Sequence, residues 1–285
     1  MPSEDDGSDL AVFGYVGRGA SNAMRGRLAD FTELLGESLA MEVNVFEAAS
    51  YSDLAMAIVS GFVDLAWLPP IPFIRLQQRR AVIPLVAHQR DGQTHFHSAV
   101  IVRTDSPLVT VADLRGARPA WVDTDSASGY VMPRVGLAES GLDPRTAFAP
   151  QRFCGSHEAV VRAVVAGRSD FGATYFGVDE LGNVSRGPWL DVTDEKGRPA
   201  EVRVLARFGT IPGDTTAARV GLPAPLRDRV SAALQALPRG RENRTLLRRL
   251  FGVDEFRPWE SSGHDELRRL TEDALQRGII DEVET

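Results

Sequence analysis

Apolar and polar positions along this chain switch repeatedly between two periods. Leu10-Ala-Val-Phe-Gly-Tyr-Val16 is an unbroken apolar run, the mark of a strand buried on both faces. From Ala20 to Ala40 the apolar residues Met24, Leu28, Phe31, Leu34 and Leu35 recur at helical spacing. Glu42-Val-Asn-Val-Phe46 alternates as a strand, and Ser50 then caps a short amphipathic helix through Leu54, Ala57 and Ile58 that closes at Gly61. The same reading predicts strands over 63–67, 82–87, 96–102, 119–122, 148–153, 170–175 and 202–206. It predicts helices over 71–80, from Val131 to about Ser140, and over 156–167, 225–237, 243–251 and 264–277, with a capped helical turn at Thr110–Arg115. Gly182 to Gly197 is polar and turn-rich and reads as surface loop. Strands alternating with helices predict an α/β fold with mostly parallel sheets. From Pro225 on, the remainder reads as helical, and the two final helical stretches, with no strand after them, read as a cap on one lobe.

One stretch stands out for its chemistry. Thr124-Asp-Ser-Ala-Ser-Gly-Tyr130 joins the short run Pro119–Val122 to a helical pattern. A strand turning at once into a helix leaves the first backbone N–H groups unpaired, and the helix dipole favours negative charge there. Small hydroxyl residues let a ligand approach those donors. An anion-binding helix start is one reading, and an ordinary serine N-cap is the other.

The chain also echoes itself. Ser50-Tyr-Ser-Asp-Leu-Ala-Met-Ala-Ile-Val-Ser-Gly61-Phe-Val-Asp64 aligns without a gap on Ser156-His-Glu-Ala-Val-Val-Arg-Ala-Val-Val-Ala-Gly167-Arg-Ser-Asp170. Each is a hydroxyl-started helix that ends at glycine and is followed by an aspartate leading a strand. The echo predicts two similar lobes, with Tyr51 and His157 at the same position just inside their helices. Ligands of open α/β sheets bind beyond the carboxyl ends of the strands. Tyr15 to Ser21 with the Gly17-Arg-Gly19 turn, Ser50-Tyr51, Trp67-Leu68, Ser126 to Ser128, Ser156-His157 and Thr174-Tyr175 are the residues so placed.

Composition narrows the partners. Of 285 residues, 43% are hydrophobic and 25% charged, enough for two lobes with ordinary cores. A net charge of −7 argues against a nucleic-acid partner, so an anion site must be local. The single cysteine, Cys154, excludes an internal disulfide and a thiolate metal cluster, and reads as a small buried hydrophobe. His88, His95 and His97 are too loosely spaced to define a metal site and read as strand-surface residues, so neither metal nor cofactor is expected. No apolar run is long enough for a membrane span. Met1 to Asp9 shows no signal-peptide pattern, which leaves the compartment open between the cytoplasm and an exported form.

Five motifs occur together in one order: Gly61-Phe-Val-Asp-Leu-Ala-Trp67, Ala112-Asp-Leu-Arg-Gly116, Asp125-Ser-Ala-Ser-Gly-Tyr130, Gly155-Ser-His-Glu158 with Ala166-Gly167, and Ile211-Pro-Gly-Asp214. Over roughly residues 10 to 215 the chain resembles the phosphate/phosphonate-binding proteins that feed ABC importers. That resemblance implies a two-lobed type 2 periplasmic-binding-protein architecture with a hinge and an interlobe ligand cleft. Lobe 1 would comprise 1–97 plus 210–285 and lobe 2 would comprise 98–209, with crossings near His97-Ser98 and Phe208-Gly209. It further implies a monomer that captures a small oxyanion and passes it to a permease or a sensory protein. Ser126, Ala127 and Ser128 match the family's hydroxyl triplet, Tyr51 its opposing tyrosine and His157 its second-helix histidine. Two positions depart from the pattern: Ala127 lacks the middle hydroxyl, and Leu68 stands where a second tyrosine can follow Trp67. The alternative is a cytoplasmic enzyme on the same fold, resembling the chorismate dehydratases, with His157 as general base. A bulky residue at Ser128 is expected to abolish binding and leave stability nearly unchanged.

Overall fold

Seven apolar residues in succession form β1 (Leu10–Val16), and the Ser21-capped helical run forms α1 (Asn22–Leu39). A computed structural model describes residues 10–17, 21–193 and 197–281. The chain continues through β2 (Glu42–Ala48), α2 (Tyr51–Val59), β3 (Leu65–Leu68), α3 (Pro70–Gln78) and β4 (Val82–Gln89). Then come β5 (His95–Arg103), β6 (Pro119–Trp121), a one-turn π-helix at Ala127–Val131, α4 (Met132–Glu139), β7 (Arg152–Phe153), α5 (His157–Val165) and β8 (Phe171–Val178). The remainder is β9 (Val184–Arg186), α6 (Pro188–Asp191), β10 (Val202–Pro212), β11 (Thr215–Arg219), α7 (Ala224–Ala236), α8 (Arg241–Phe251), β12 (Glu255–Pro258) and α9 (Ser262–Gln276).

These elements divide into two units, Met1–Arg90 with Gly213–Glu260, and Asp91–Pro212 with Ser261–Thr285. The first holds a sheet ordered β12-β4-β11-β3-β1-β2 and the second a sheet ordered β10-β5-β8-β6-β7, with β9 paired to β8. The first unit's core joins aromatic rings from three elements: Phe31 of α1 meets Phe13 of β1 at 5.2 Å and Phe251 of α8 at 5.0 Å, both edge to face. In the second, Trp121 of β6 packs edge-on against Phe171 of β8 at 5.7 Å.

Four expectations need correction. The sheets are mixed: β1 runs parallel to β2 and β3, and β6 to β7 and β8, whereas β5, β10, β11 and β12 pair antiparallel. The remainder from Pro225 is not all helical, because β12 lies between α8 and α9, and β11 before it was not expected. Thr215-Thr-Ala-Ala218 is buried between β3 and β4, where small residues fit and no long apolar run is needed. The 182–197 loop contains β9 and α6. The lobe boundaries shift as well. Ser98 and Phe208 are cross-strand partners within unit 2, and the chain changes unit at 90/91, 212/213 and 260/261. The final helix α9 belongs with unit 2, and the residues after it are tied there: Arg134 Nε of α4 donates to Ile279 O at 2.6 Å and Tyr130 Oη to Asp281 Oδ2 at 2.7 Å.

The internal echo is reproduced in the backbone hydrogen bonds of both segments. Ser50 and Ser156 both cap in extended conformation, accepting from Asp53 N and Ala159 N. Gly61 and Gly167 both end their helices' turns at positive φ, 80° and 69°, a region glycine occupies without strain. Asp64 then donates its N–H to Val12 O and accepts Val12 N on Oδ2, while Asp170 does the same with Arg118. Each carboxylate also takes an arginine, Arg219 on Asp64 and Arg118 itself on Asp170. This two-way clamp fixes where the strand after the helix begins relative to its parallel neighbour. The carboxyl of Asp64 is 13% exposed and that of Asp170 36%, so water can replace the lost partner more easily at Asp170. Replacing Asp64 by alanine should cost about 2–3 kcal/mol and Asp170→Ala about 1–2 kcal/mol, by the usual worth of charged hydrogen bonds. Urea unfolding of the two variants checks that order.

Candidate ligand-binding site

In unit 2 four elements end at one edge of the sheet. The parallel neighbours β6 and β7 lead into helix starts at Ser126 and Ser156. Cys154 N and Gly155 N continue the pairing onto Trp121 O and Val122 O, which holds the two starts side by side. Thr174 and Tyr175 of β8 and Phe96 and Ser98 of the antiparallel β5 arrive at the same end, with Ser98 opposite Tyr175.

The helix start at Ser126 is unusual. Ser126 Oγ caps Gly129 N at 3.0 Å, and Ser126 O accepts both Tyr130 N and Val131 N. Met132 N reaches Ala127 O five residues back, giving a single π-turn, a distortion often found where helices carry function. The N–H groups of Ala127 and Ser128 are left without an acceptor among the described residues. From below, the fully buried Ser98 donates Oγ–H to Ser128 O at 2.7 Å. Gly129 lets the turn lie against the strand end: a Cβ there would stand 2.3 Å from Val122 Cγ2, and Val122 N donates to Gly129 O.

At the second start, His157 Nδ1 and Thr174 Oγ1 are 2.9 Å apart, which fixes the plane of the imidazole. Tyr175 meets that ring edge to face at 4.9 Å, and Phe96 meets Tyr175 at 6.3 Å. The result is a wall of imidazole and aromatic surface next to two unpaired amides at a positive helix end. It suits a small oxyanion bearing an organic group.

The sequence-derived candidates fall into two sets. Ser126, Ala127, Ser128, His157 and Tyr175 come together in unit 2. Ser128 is only 2% exposed, so the expectation that a bulky residue there spares stability does not hold; such a side chain would break packing. In unit 1, Tyr51 is the first residue of α2, at the position His157 takes in α5. Trp67 is half-buried and anchored: Nε1 donates to Asp214 Oδ2 at 3.0 Å, and the ring packs on Phe251 at 4.7 Å. Tyr15 lies in the core cluster, where burial and the neighbouring Glu47 push its phenol up to about 12. The Gly17-Arg-Gly19 turn extends into residues 18–20, which lie outside the described residues. Thr174, expected beside Tyr175 at a strand end, takes its place in this set through His157. Sequence reasoning missed the support that Ser98 gives from below; its only signal was that it interrupts a hydrophobic run.

Among the described residues no group of ligands suits a metal ion, and no helix is long and apolar enough to cross a membrane. Cys154 is half-buried and burial raises its thiol, which leaves it unreactive.

Comparison with known proteins follows this geometry. The family described as "ABC transporter, phosphonate, periplasmic substrate-binding protein" matches residues 13–263. The chain belongs to this family. Its members are binding proteins and not enzymes. The chain is 25% identical over 209 residues to the phosphate-import protein PhnD of Mycolicibacterium smegmatis, covering 70% of this chain and 62% of that one. It therefore spans less than two thirds of that relative's length. Among solved structures it is similar to XAC2383 from Xanthomonas citri bound to chloride, with TM-score 0.78, 21% identity and coverage of 95% and 100%. It is also similar to PhnD1 from Prochlorococcus marinus in complex with methylphosphonate, with TM-score 0.76, 17% identity and coverage of 96% and 100%. Both likenesses show the fold, a two-lobed α/β architecture.

His88 corrects one further expectation, for it is a core residue of unit 1 and not a strand-surface one. Its Nε2 lies 2.9 Å from Thr216 Oγ1, and its ring stacks on Trp67. Burial, with the nearby Arg90 guanidinium, lowers its pKa from 6.5 to about 3. Beside it, Arg90 holds Asp214 at 2.6 Å; burial opposes the Asp214 charge, but Arg90 keeps the carboxyl below its usual range. Native His88 thus stays neutral while the unfolded chain takes up a proton below about 6.5. Stability conferred by neutral His88 is complete above that pH and drains away as pH falls from about 6.5 towards 3. His88→Gln should make the acid side of a stability-versus-pH curve shallower, measured by thermal unfolding across that window.

Proposed function

We propose that this protein is the solute-binding component of an ABC importer and that it captures a small phosphonate- or phosphate-like oxyanion for a permease. The observation that carries the reading is the pair of unpaired backbone donors, Ala127 N and Ser128 N, at a helix start backed by the Ser126 cap. His157 and Tyr175 stand beside them, and Tyr51 of unit 1 is proposed as a further contact, with Trp67 and Tyr15 placing the unit 1 strands from within its core. The names of the mycobacterial and Prochlorococcus relatives, which speak of phosphate import and of methylphosphonate, support this ligand class.

Ala127 sharpens the chemistry. Without a hydroxyl at that position, the ligand's oxygens are met by backbone N–H groups more than by side chains. A hydrogen bond to a charged group contributes about 1.5–3 kcal/mol, so each amide matters. Proline at position 127 removes that donor selectively, because it is tolerated at the first residue of a helix. The preceding Ser126 is already extended, at φ −82° and ψ 114°, as a residue before proline must be. Calorimetry against methylphosphonate, phosphate, phosphite and an alkylsulfonate should show binding of at least one, with Ala127→Pro, its folding checked by thermal unfolding, weaker by about ten-fold or more. Equal affinity in the variant would remove this helix start from the site. Folded, ligand-free protein that binds none of the four would defeat the functional reading.

A further inference from the structure

The segment just after α9 ends against the residues that immediately follow the proposed ligand donors. Tyr130, the last but one residue of the π-turn, is fully buried, and its hydroxyl donates to Asp281 Oδ2 at 2.7 Å. Four residues on, Arg134 of α4 is 3% exposed. A buried guanidinium is costly unless its donors are met. Here Nε reaches Ile279 O at 2.6 Å and Nη1 reaches Gln151 Oε1 at 2.9 Å. Gln151 Oε1 also accepts Trp121 Nε1 at 2.6 Å. The guanidinium carbon lies 5.0 Å from the Tyr130 ring and 5.8 Å from the Trp121 ring, within cation–π range of both. Ile279 and Ile280 are themselves buried, so the segment is held by packing as well as by polar contacts.

The π-turn has a reason to need such support. It replaces regular helical hydrogen bonds with longer five-residue steps at the point where two amides must stay unpaired. A helix start with free donors relaxes readily towards tighter turns that use them. Tyr130 and Arg134 lie on the stretch that would have to rotate for this to happen, and each is tied to a segment some 145 or more residues away in sequence.

We propose that Ile279–Asp281 is a strut for the ligand site: through Tyr130 and Arg134, which act as positioning residues, it holds the π-turn so that Ala127 N and Ser128 N remain free to bind an oxyanion. The inference rests on the ligand reading above for its functional half only. Ligand affinity is then set in part by a segment that touches no ligand.

Hydrogen exchange of peptides covering 127–134 and 157–165, in the full chain without ligand, tests the strut directly. Tyr130→Phe keeps the ring and loses the hydroxyl, Asp281→Ala loses the acceptor, and Asp281→Asn keeps an oxygen acceptor. Tyr130→Phe and Asp281→Ala should speed exchange across 127–134 by about ten-fold and leave 157–165 unchanged, with Asp281→Asn restoring slow exchange. Methylphosphonate affinity by calorimetry should fall by about five- to ten-fold in the first two variants and stay within about two-fold in the third. Unchanged exchange in both Tyr130→Phe and Asp281→Ala overturns the strut. Faster exchange with undiminished methylphosphonate affinity overturns its role in binding. Faster exchange in a protein whose wild type binds none of the anions supports the strut while removing the ligand assignment.

Discussion

Both units depend on one constraint, the closing of the step from a helix to the strand that follows it. In unit 1 the step is closed by Asp64 and in unit 2 by Asp170, each trading backbone and side-chain hydrogen bonds with a residue of the neighbouring parallel strand (Val12) or just before it (Arg118). Once that step is fixed, the strand register is fixed, and with it the level at which the opposite ends of the strands stop. The helix starts at Ser50 and Ser156 are nine-residue helices away from those clamps. Their height above the sheet is therefore inherited from an aspartate at the far end. The edge that carries the helix starts is built from the edge that faces away.

This arrangement separates two kinds of work. Near the clamps, charged pairs and positive-φ glycines set geometry and tolerate water. Near the helix starts, polar atoms are satisfied from below, by Ser98 on the Ser128 carbonyl and by Thr174 on His157, while Ala127 N and Ser128 N have no acceptor among the described residues. The proposed oxyanion site, made chiefly of backbone amides, would carry no formal charge of its own. That agrees with a chain whose net charge is −7, where a cationic pocket would stand against the field of the whole molecule.

Much of this was legible from the chain, and the rest was hidden for physical reasons. The strand at Leu10–Val16 and the paired serine-capped helices follow from local periodicity and capping, which depend on neighbours in sequence. The Ser126–Ser128 motif showed a helix start but not the π-turn, because that distortion is held by Tyr130 and Arg134 contacts with residues near 280. The strand β11 escaped notice because Thr215-Thr-Ala-Ala218 has no hydrophobic run; it is a strand by virtue of the partners on either side. The burial of His88 was likewise invisible, since its neighbours in sequence say nothing of Thr216 or Phe251 packing around it. The boundary between units was misplaced for the same reason: long-range contacts claim α9 for unit 2.

The position of β11 has a consequence for how the protein is made. In the first sheet it lies between β3 and β4, yet it is separated from β4 in sequence by nearly the whole of unit 2. During synthesis β3 and β4 emerge early with their facing edges bare, and they cannot be bridged until residue 219 has left the ribosome. Unit 2 meanwhile has all of its strands in one continuous stretch from β5 to β10. It can assemble its sheet while unit 1 still waits, and only α9 arrives later. The order of birth along the chain thus allows the second unit's sheet to be completed before the first's, and leaves the open edges of the first exposed to chance pairing in the interval.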